Sequence, residues 1–414
     1  KAFAAHFGPT SGNGQVTILE AGNEPWHLDS LFYRDLLRGM AEGVKAGDPA
    51  LKILPCALQA AFPQNENTTS SRNFMGARIT EETAALLDGL NLHLYSFAFD
   101  EEGARIAVWP EHPDSDMREL FNALRWRDHN MPSTPIYMTE WGWDHDGAGE
   151  DCTHSECVTE KEAVAYFTRG ALMLLRTQVQ RADIYFYANT GGASSLFARS
   201  GVTGSLATNF EKKKSFLALE SLAHTLGDKY FLSAIKEDST AWLYLLGNAD
   251  GTPTHLAAWR PIDANNSETV EVAWETALHP VSAVLLDGET ATGSAVVLPA
   301  WEAGKLTIPV SAIPIVVALD SLNTATTGPV REESLTVVPN PATQKFEVQW
   351  QASGSCQAVK LAIYSPAGEM RYQQAIPAGA THVSVEKTGL PAGLYLVELS
   401  FKTGEKRVRK LVML

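Results

Sequence analysis

The chain has 414 residues, 45% of them hydrophobic, and a formal net charge of −15 at pH 7. That length exceeds one ordinary domain, and the apolar content suffices for a substantial core. With no cluster of Lys or Arg before the final residues, the acidic balance argues against binding a phosphate backbone, and with no run of 18 apolar residues no transmembrane segment is expected.

In chain order, residues 1–8 read as the end of a helix. The first residue is Lys1 rather than Met, and no charged start with an apolar signal core precedes the first motif, so the sequence reads as a fragment. Residues 16–26, V-T-I-L-E-A-G-N-E-P-W, begin as a short, partly β-branched run typical of a strand buried on both faces. Asn23 and Glu24 then sit where the strand emerges, with Trp26 behind them. In a barrel of parallel strands the active site is built at that end, so an acidic residue there reads as catalytic before it reads as structural.

Residues 28–47 form an amphipathic helix pattern with Leu31, Leu36, Leu37 and Met40 on one side, stopped by Asp48 and Pro49. Residues 52–58 and 90–96 are two further apolar runs, each preceded by helical sequence. Cys56 in the first is expected as a small buried hydrophobe. His93 and Tyr95 in the second are two residues apart, which on a strand points both to one side; the bland alternative for His93 is a hydrogen-bonded core histidine. Residues 135–143, P-I-Y-M-T-E-W-G-W, repeat the first pattern, ending in Glu140 with Trp141 and Trp143 behind it. Glu24 and Glu140 are 116 residues apart. Three units of an eight-unit barrel of about 250 residues take about 93 before insertions, so the two glutamates close strands n and n+3.

Cys152 and Cys157, in D-C-T-H-S-E-C, are placed to staple a loop as a disulfide in an oxidising compartment. With His154 they offer three metal ligands, but a fourth is lacking. Asp144, Asp146, Glu150 and Asp151 lack the spacing of a full calcium loop and read as a solvated acidic loop. No metal or other cofactor is expected. A helix at residues 161–176, a strand at 182–189 and a closing helix at 212–226 complete this region.

From about Phe231 the period changes to short strands at residues 242–246, 254–259, 269–274, 281–286 and 306–310, the pattern of an all-β sandwich. Residues 321–333 are polar and read as a linker. Residues 335–414, with V-V-P-N-P-A, V-K-L-A-I-Y-S-P-A-G-E, L-P-A-G-L-Y-L-V-E-L and a basic end, form a small antiparallel sandwich that also contains Cys356.

A strand ending in Asn-Glu-Pro, a His-x-Tyr two strands later and a strand ending in Thr-Glu-Trp on the next resemble clan A of the retaining glycoside hydrolases, over about residues 1–225. The resemblance implies a multidomain chain, α/β then all-β, that enters a TIM (β/α)8 barrel at about strand 4 and runs to strand 8. Glu24 is then the acid/base, Glu140 the nucleophile and Asn23 a ligand of the sugar 2-hydroxyl, while His93 and Tyr95 match the sixth-strand motif. Retaining hydrolysis needs two carboxyl groups about 5 Å apart, one protonated and one ionised. Burial and the charge of Glu140 are expected to keep the proton on Glu24, and donors such as Tyr95 to keep Glu140 ionised. Trp141, and with it Trp26 and Trp143, are expected to stack on sugar, the alternative being that they cap the barrel mouth. Many clan members carry a Trp near the end of the eighth strand; Tyr187 and Asn189 stand there in this chain. Because the first three strands of the clan normally add binding groups, this piece alone is expected to be unstable or inactive.

The final domain resembles the C-terminal sorting domain of the type IX secretion system of Bacteroidota, implying export to the cell surface or beyond. Lys406, Arg407, Arg409 and Lys410 fit outward positions on its last strand. The expected organisation is barrel at 1–228, accessory β-sandwich at 229–320, linker at 321–333 and immunoglobulin-like sorting domain at 334–414. The sandwich is read as a stabilising partner rather than a glycan-binding module. The implied function is a secreted retaining hydrolase of β-glycosidic bonds in a polysaccharide or oligosaccharide. The alternatives are a non-catalytic glycan-binding surface protein on a degenerate barrel, and a barrel serving as an adhesion scaffold.

Overall fold

The computed structural model describes residues 1–63 and 74–320 and, further on, 335–338, 340, 342–343, 345–350, 358–365, 370–377, 379–386, 390–391, 393–402 and 406–413. The expected linker and Cys356 lie outside the described residues. The chain divides into two compact units, Lys1–Leu322 and Asn323–Leu414.

The first unit begins as alternating strands and helices. Ile18–Ala21 pairs in parallel with Lys52–Pro55. Leu90–His93, Ile136–Trp141 and Val179–Ile184 form a second parallel sheet with Ile136–Trp141 at its centre. Backbone bonds from Asp88 to Ile53 (3.0 Å) and from Leu58 to Asn91 (2.9 Å) carry the layer across from Lys52–Pro55 to Leu90–His93. All four residues of Leu90–His93 are buried, as a parallel strand covered on both faces requires.

The helix Ser30–Gly47 starts at Asp29, whose carboxylate accepts from the amides of Leu31 and Phe32. It buries Tyr33, Leu37, Ala41 and Val44, one stripe of i, i+4 and i, i+3 spacing, and leaves Leu31 and Leu36 exposed. Of the face expected around Leu31, Leu36, Leu37 and Met40, Leu37 is buried in the core and Met40 packs partly against it, while Leu31 and Leu36 face out. Glu160–Arg176 opens with a capping box between Thr159 and Glu162. The last parallel strand stops at Ile184, short of the expected 189.

An antiparallel sandwich follows in the same unit. Its larger sheet runs Tyr230–Glu237, Trp242–Gly247, Pro253–Trp259, Ile315–Asp320, His279–Leu285, Ser294–Ala295, and its smaller sheet Val270–Glu275, Lys305–Val310, Ala300–Glu302. Leu243, Leu256, Val272, Ile308 and Val317 fill the space between them. Trp242, Tyr244 and Trp259 instead join the core of the α/β part, so alternate residues of one sheet serve two cores.

The second unit has a three-stranded sheet, Leu335–Val338, Lys345–Trp350 and His382–Glu386, and a four-stranded one ordered Met370–Ala375, Ala358–Tyr364, Gly393–Phe401, Lys406–Met413. Both sheets are antiparallel, around a core that includes Phe346, Trp350, Leu361, Val385 and Leu399. Among the described residues no helix is long and apolar enough to cross a membrane.

Candidate active site

The site forms at the carboxyl ends of the parallel strands. Tyr33 donates to the carbonyl of Ala21 (2.9 Å) and accepts from the amide of Cys56 (2.9 Å), which ties the ends of the first two strands together. Glu24 lies just beyond, at φ +42, a left-handed conformation uncommon for a non-glycine residue. Its amide donates to the sulfur of Cys56 (3.3 Å). Cys56 is buried and burial pushes its thiol up to about 12, so it stays a neutral partner for that turn.

Thr139 and Glu140 are neighbours in one strand, and a regular strand would point them to opposite faces. The pairing register slips here: Leu92 faces Met138 and His93 faces Glu140, leaving Thr139 as the extra residue. Both side chains consequently reach His93. His93 Nδ1 is 3.0 Å from Glu24 Oε1 and 3.6 Å from Glu140 Oε1, and Nε2 is 3.0 Å from Thr139 Oγ1. Tyr95 donates its hydroxyl to Glu140 Oε2 at 2.8 Å. One oxygen of Glu24, one of Glu140 and a nitrogen of His93 all lie within 4.8 Å of one another.

A third carboxylate stands behind these two. Glu20 Oε1 accepts from Thr139 Oγ1 (2.5 Å) and from the Asn91 amide, and lies 3.8 Å from His93 Nε2. Burial opposes charge on His93, but the Glu20 and Glu24 carboxylates facing its two nitrogens and the charge of Glu140 outweigh it and raise its pKa to about 9. Glu140 is pushed above the ordinary carboxylate range: burial acts first, His93 and Tyr95 pull back, and Glu24 and Glu20 push up again. Tyr95 is the donor expected to keep Glu140 ionised, and burial acts against it. Glu24, His93 and Glu140, and likewise Glu20, Cys56 and His93, bring ligand-type atoms within 4.8 Å of one another, and both nitrogens of His93 are engaged by protein partners.

The remaining expected site residues divide. Asn23 and Trp26 are exposed beside Glu24, Trp26 by 41%. Trp141 and Trp143 are 2% and 3% exposed and pack on Phe167 in the core, with Trp143 Nε1 donating to the Val108 carbonyl. They support the strand from behind and do not offer a face to sugar, contrary to expectation. Tyr187 is 62% exposed against Phe210, and Asn189 is buried and donates to Glu150 (2.7 Å). The aromatic of this segment that faces the carboxylates is Tyr185, whose hydroxyl is raised by burial and by the charges of Glu140 and Glu24, and whose ring meets Tyr95 edge-on at 6.5 Å.

Cys152 and Cys157 form a disulfide, so their sulfurs are not thiolate ligands, and His154 Nε2 is 3.0 Å from Asp144 Oδ2. The acidic loop is not simply solvated. Asp144 is buried and accepts from Phe197, Arg199 and Ser200; Glu150 accepts from Ser205 and Asn189; and Asp146 accepts from the Cys152 amide. Asp144 and Glu150 thereby tie this loop to residues 189–205, and Asp146 holds the loop's own backbone.

Sequence reasoning missed Glu20, Asn91, Thr139 and Tyr185. Asn91 and His93 at i, i+2 share a strand face, and Glu20 and Asn91 are polar residues inside apolar runs, which was the available signal. Nothing in the sequence marked the bulge that turns Thr139 inward.

Residues 336–414 match the family of secretion system C-terminal sorting domains. No curated protein matches the chain in sequence. Among solved structures, a family 39 glycoside hydrolase from the gut symbiont Bacteroides cellulosilyticus WH2 superposes with a TM-score of 0.54 at 18% identity, over 74% of this chain and 59% of that one. A family 44 xyloglucanase from Paenibacillus polymyxa gives 0.48 at 13% identity, over 78% and 68% of the two chains. A family 30 subfamily 8 xylanase from Clostridium acetobutylicum gives 0.46 at 12% identity, over 77% and 71%. The fold before the C-terminal unit is one shared with the family 39 glycoside hydrolase, and the chain spans 59% of the length of that structure. The C-terminal unit is a type IX sorting domain, which directs the protein to the cell surface or the extracellular space.

Proposed function

We propose that residues 1–228 form about strands 4–8 of a clan A (β/α)8 barrel, that 229–320 form an accessory sandwich, and that the protein is a retaining glycoside hydrolase acting on β-glycosidic bonds of a polysaccharide or oligosaccharide. The observation that carries this reading is the approach of Glu24 and Glu140 to within 4.8 Å, with His93 between them. That spacing suits the retaining arrangement of about 5–5.5 Å and leaves no room for the water an inverting pair needs at about 6.5–9.5 Å. In the first step Glu140 attacks the anomeric carbon while Glu24 gives its proton to the departing oxygen. In the second, Glu24 takes a proton from water as that water's oxygen displaces Glu140. Asn23 and Trp26, exposed beside Glu24, and Tyr185 are the groups available to hold the sugar.

The test is to incubate the natural full-length protein with activated β-glycosides carrying a 2-fluoro substituent and to search for a sugar adduct by peptide mass spectrometry. An adduct on Glu140, absent in Glu140→Gln, is the expected result. Absence of labelling and turnover across the panel, with glycan binding retained, would favour the non-catalytic binding protein instead.

A further inference from the structure

We propose that Glu20 and Thr139 are positioning residues that fix His93 as its Nε2-protonated form, so that His93 Nδ1 and Glu24 share the proton that catalysis delivers to the leaving group. The inference rests on the acid role of Glu24 proposed above, and its argument is one of hydrogen-bond polarity. An ionised carboxylate only accepts. Thr139 Oγ1, 2.5 Å from Glu20 Oε1, therefore directs its single proton to Glu20. Asn91 Oδ1, at 3.0 Å, is a longer contact than Glu20 and already accepts from the Thr139 amide (3.2 Å), so the proton stays with Glu20 and the Oγ1 lone pairs are left for Asn91 Nδ2 at 2.9 Å and His93 Nε2 at 3.0 Å. Asn91 Nδ2 also donates to Glu20, which fixes the amide's orientation. His93 Nε2 facing an oxygen with no proton to offer must itself carry hydrogen.

The other ring nitrogen then has a single choice. Nδ1 faces Glu24 Oε1 at 3.0 Å, and two bare lone pairs would repel at that distance. One proton lies between them, on Nδ1 with Glu24 ionised or on Glu24 with Nδ1 accepting. The groups facing this ring are Glu20 and Glu24 from the first strand and its end, Cys56 from beyond the second, and Glu140 from the Ile136–Trp141 strand, with Tyr95 two residues further along its own chain. Three of these are carboxyls, so the cationic ring is the favoured resting state, in keeping with its pKa of about 9. Passage of the Nδ1 proton to Glu24 Oε1, and from there to the glycosidic oxygen as the C–O bond breaks, leaves His93 neutral. Attacking water restores the proton in the second half-reaction, so the cycle balances.

The experiment is a titration of the full chain labelled with 15N-histidine, following the ring nitrogens of His93 from pH 5 to pH 10, with the signal assigned by its loss in His93→Gln. Nε2 is expected to remain protonated on both sides of the transition while Nδ1 alone titrates. In Glu20→Gln the midpoint is expected to fall by about one pH unit, the low end of what a carboxylate at this distance contributes. In Thr139→Val the neutral ring is expected to lose its single tautomer. A neutral ring protonated at Nδ1 in the unaltered protein would overturn the proposal, as would a midpoint and tautomer that neither substitution moves. The first of these needs no variant to fold. Because the spectrum is read without turnover, a failure of glycoside labelling and a failure of this proton assignment are distinguishable.

Discussion

Replacing Tyr95 by Phe isolates the donor that faces the proposed nucleophile. The hydroxyl donates to Glu140 Oε2 at 2.8 Å, and Tyr95 is buried, so Phe fills the same space and removes one bond. A hydrogen bond to a charged group is worth about 1.5–3 kcal/mol, and 1.36 kcal/mol corresponds to one pH unit of pKa, which brackets the change between about one and two pH units. The Glu140 side chain is 20% exposed and keeps His93 Nδ1 at 3.6 Å, so the lower end applies. The bond favours the ionised carboxylate; removing it raises the pKa of a group that burial already holds above its ordinary value. The acid limb of kcat/KM against an aryl β-glycoside should therefore move up by about one pH unit, giving a loss of about tenfold below the limb and a smaller change on the plateau. Initial rates from pH 3 to pH 9 measure it. An acid limb that stays in place while the plateau falls would refute the reasoning and make Tyr95 a packing residue.

Three further outcomes are expected. The pKa of His93 is raised to about 9, so its contribution to stability is complete below about pH 6.5 and is lost as pH rises through 9, a change of about 3 kcal/mol. Burial lowers Lys213 to about 7, which acts in the opposite sense over the same range, so the quantity to read is the stability difference between the unaltered protein and His93→Gln at pH 6 and pH 10; a constant difference would be contrary evidence. Replacing both Cys152 and Cys157 by Ser opens a loop of sequence separation 5 and should cost about 2 kcal/mol, read as a lower thermal midpoint, with equal midpoints arguing that the unfolded chain is already compact there. Trp143→Ala should cost about 3–5 kcal/mol in denaturant unfolding, whereas Trp26→Ala should change stability by less than about 0.5 kcal/mol and raise KM; a stability loss at Trp26 instead would place that ring in the core.

The architecture was legible where one residue period dominated. The runs before Glu24 and Glu140 are short, apolar and interrupted by small or polar residues, and both fold as parallel strands. His93 and Tyr95 were legible as a pair because strand geometry alone joins positions two apart. What escaped was set by contacts across the sheet. Trp141 and Trp143 looked like sugar platforms because they follow a catalytic-type glutamate, but the helix Glu160–Arg176 brings Phe167 against both rings. Asp144 and Glu150 looked solvated because their partners, Phe197, Arg199, Ser200 and Ser205, are about 50 residues further on. Tyr185 was overlooked in favour of Tyr187 because the end of the last parallel strand, at Ile184, is not marked by a Gly or Pro in A-D-I-Y-F-Y.

The sandwich is attached through a buried charge pair. Glu111 and Arg169 form a fully buried ion pair, and a pair so placed persists only when its remaining donors and acceptors are satisfied. The sandwich supplies them: Trp259 Nε1 donates to Glu111 Oε1 at 2.6 Å, and Arg169 Nη1 donates to the Ile262 carbonyl at 2.7 Å. The residue after Arg169 is Gly170, where an added Cβ would lie 2.7 Å from Trp141 Cζ3. The helix can therefore lie flat against the indole that directly follows Glu140, and only a glycine permits that approach. Contacts thus run without a break from the sandwich through Trp259, Glu111 and Arg169 to Gly170, Trp141 and the strand that carries Glu140. A sandwich that merely held glycan would have no need to satisfy a buried charge beneath the strand that carries Glu140; one that braces this strand would.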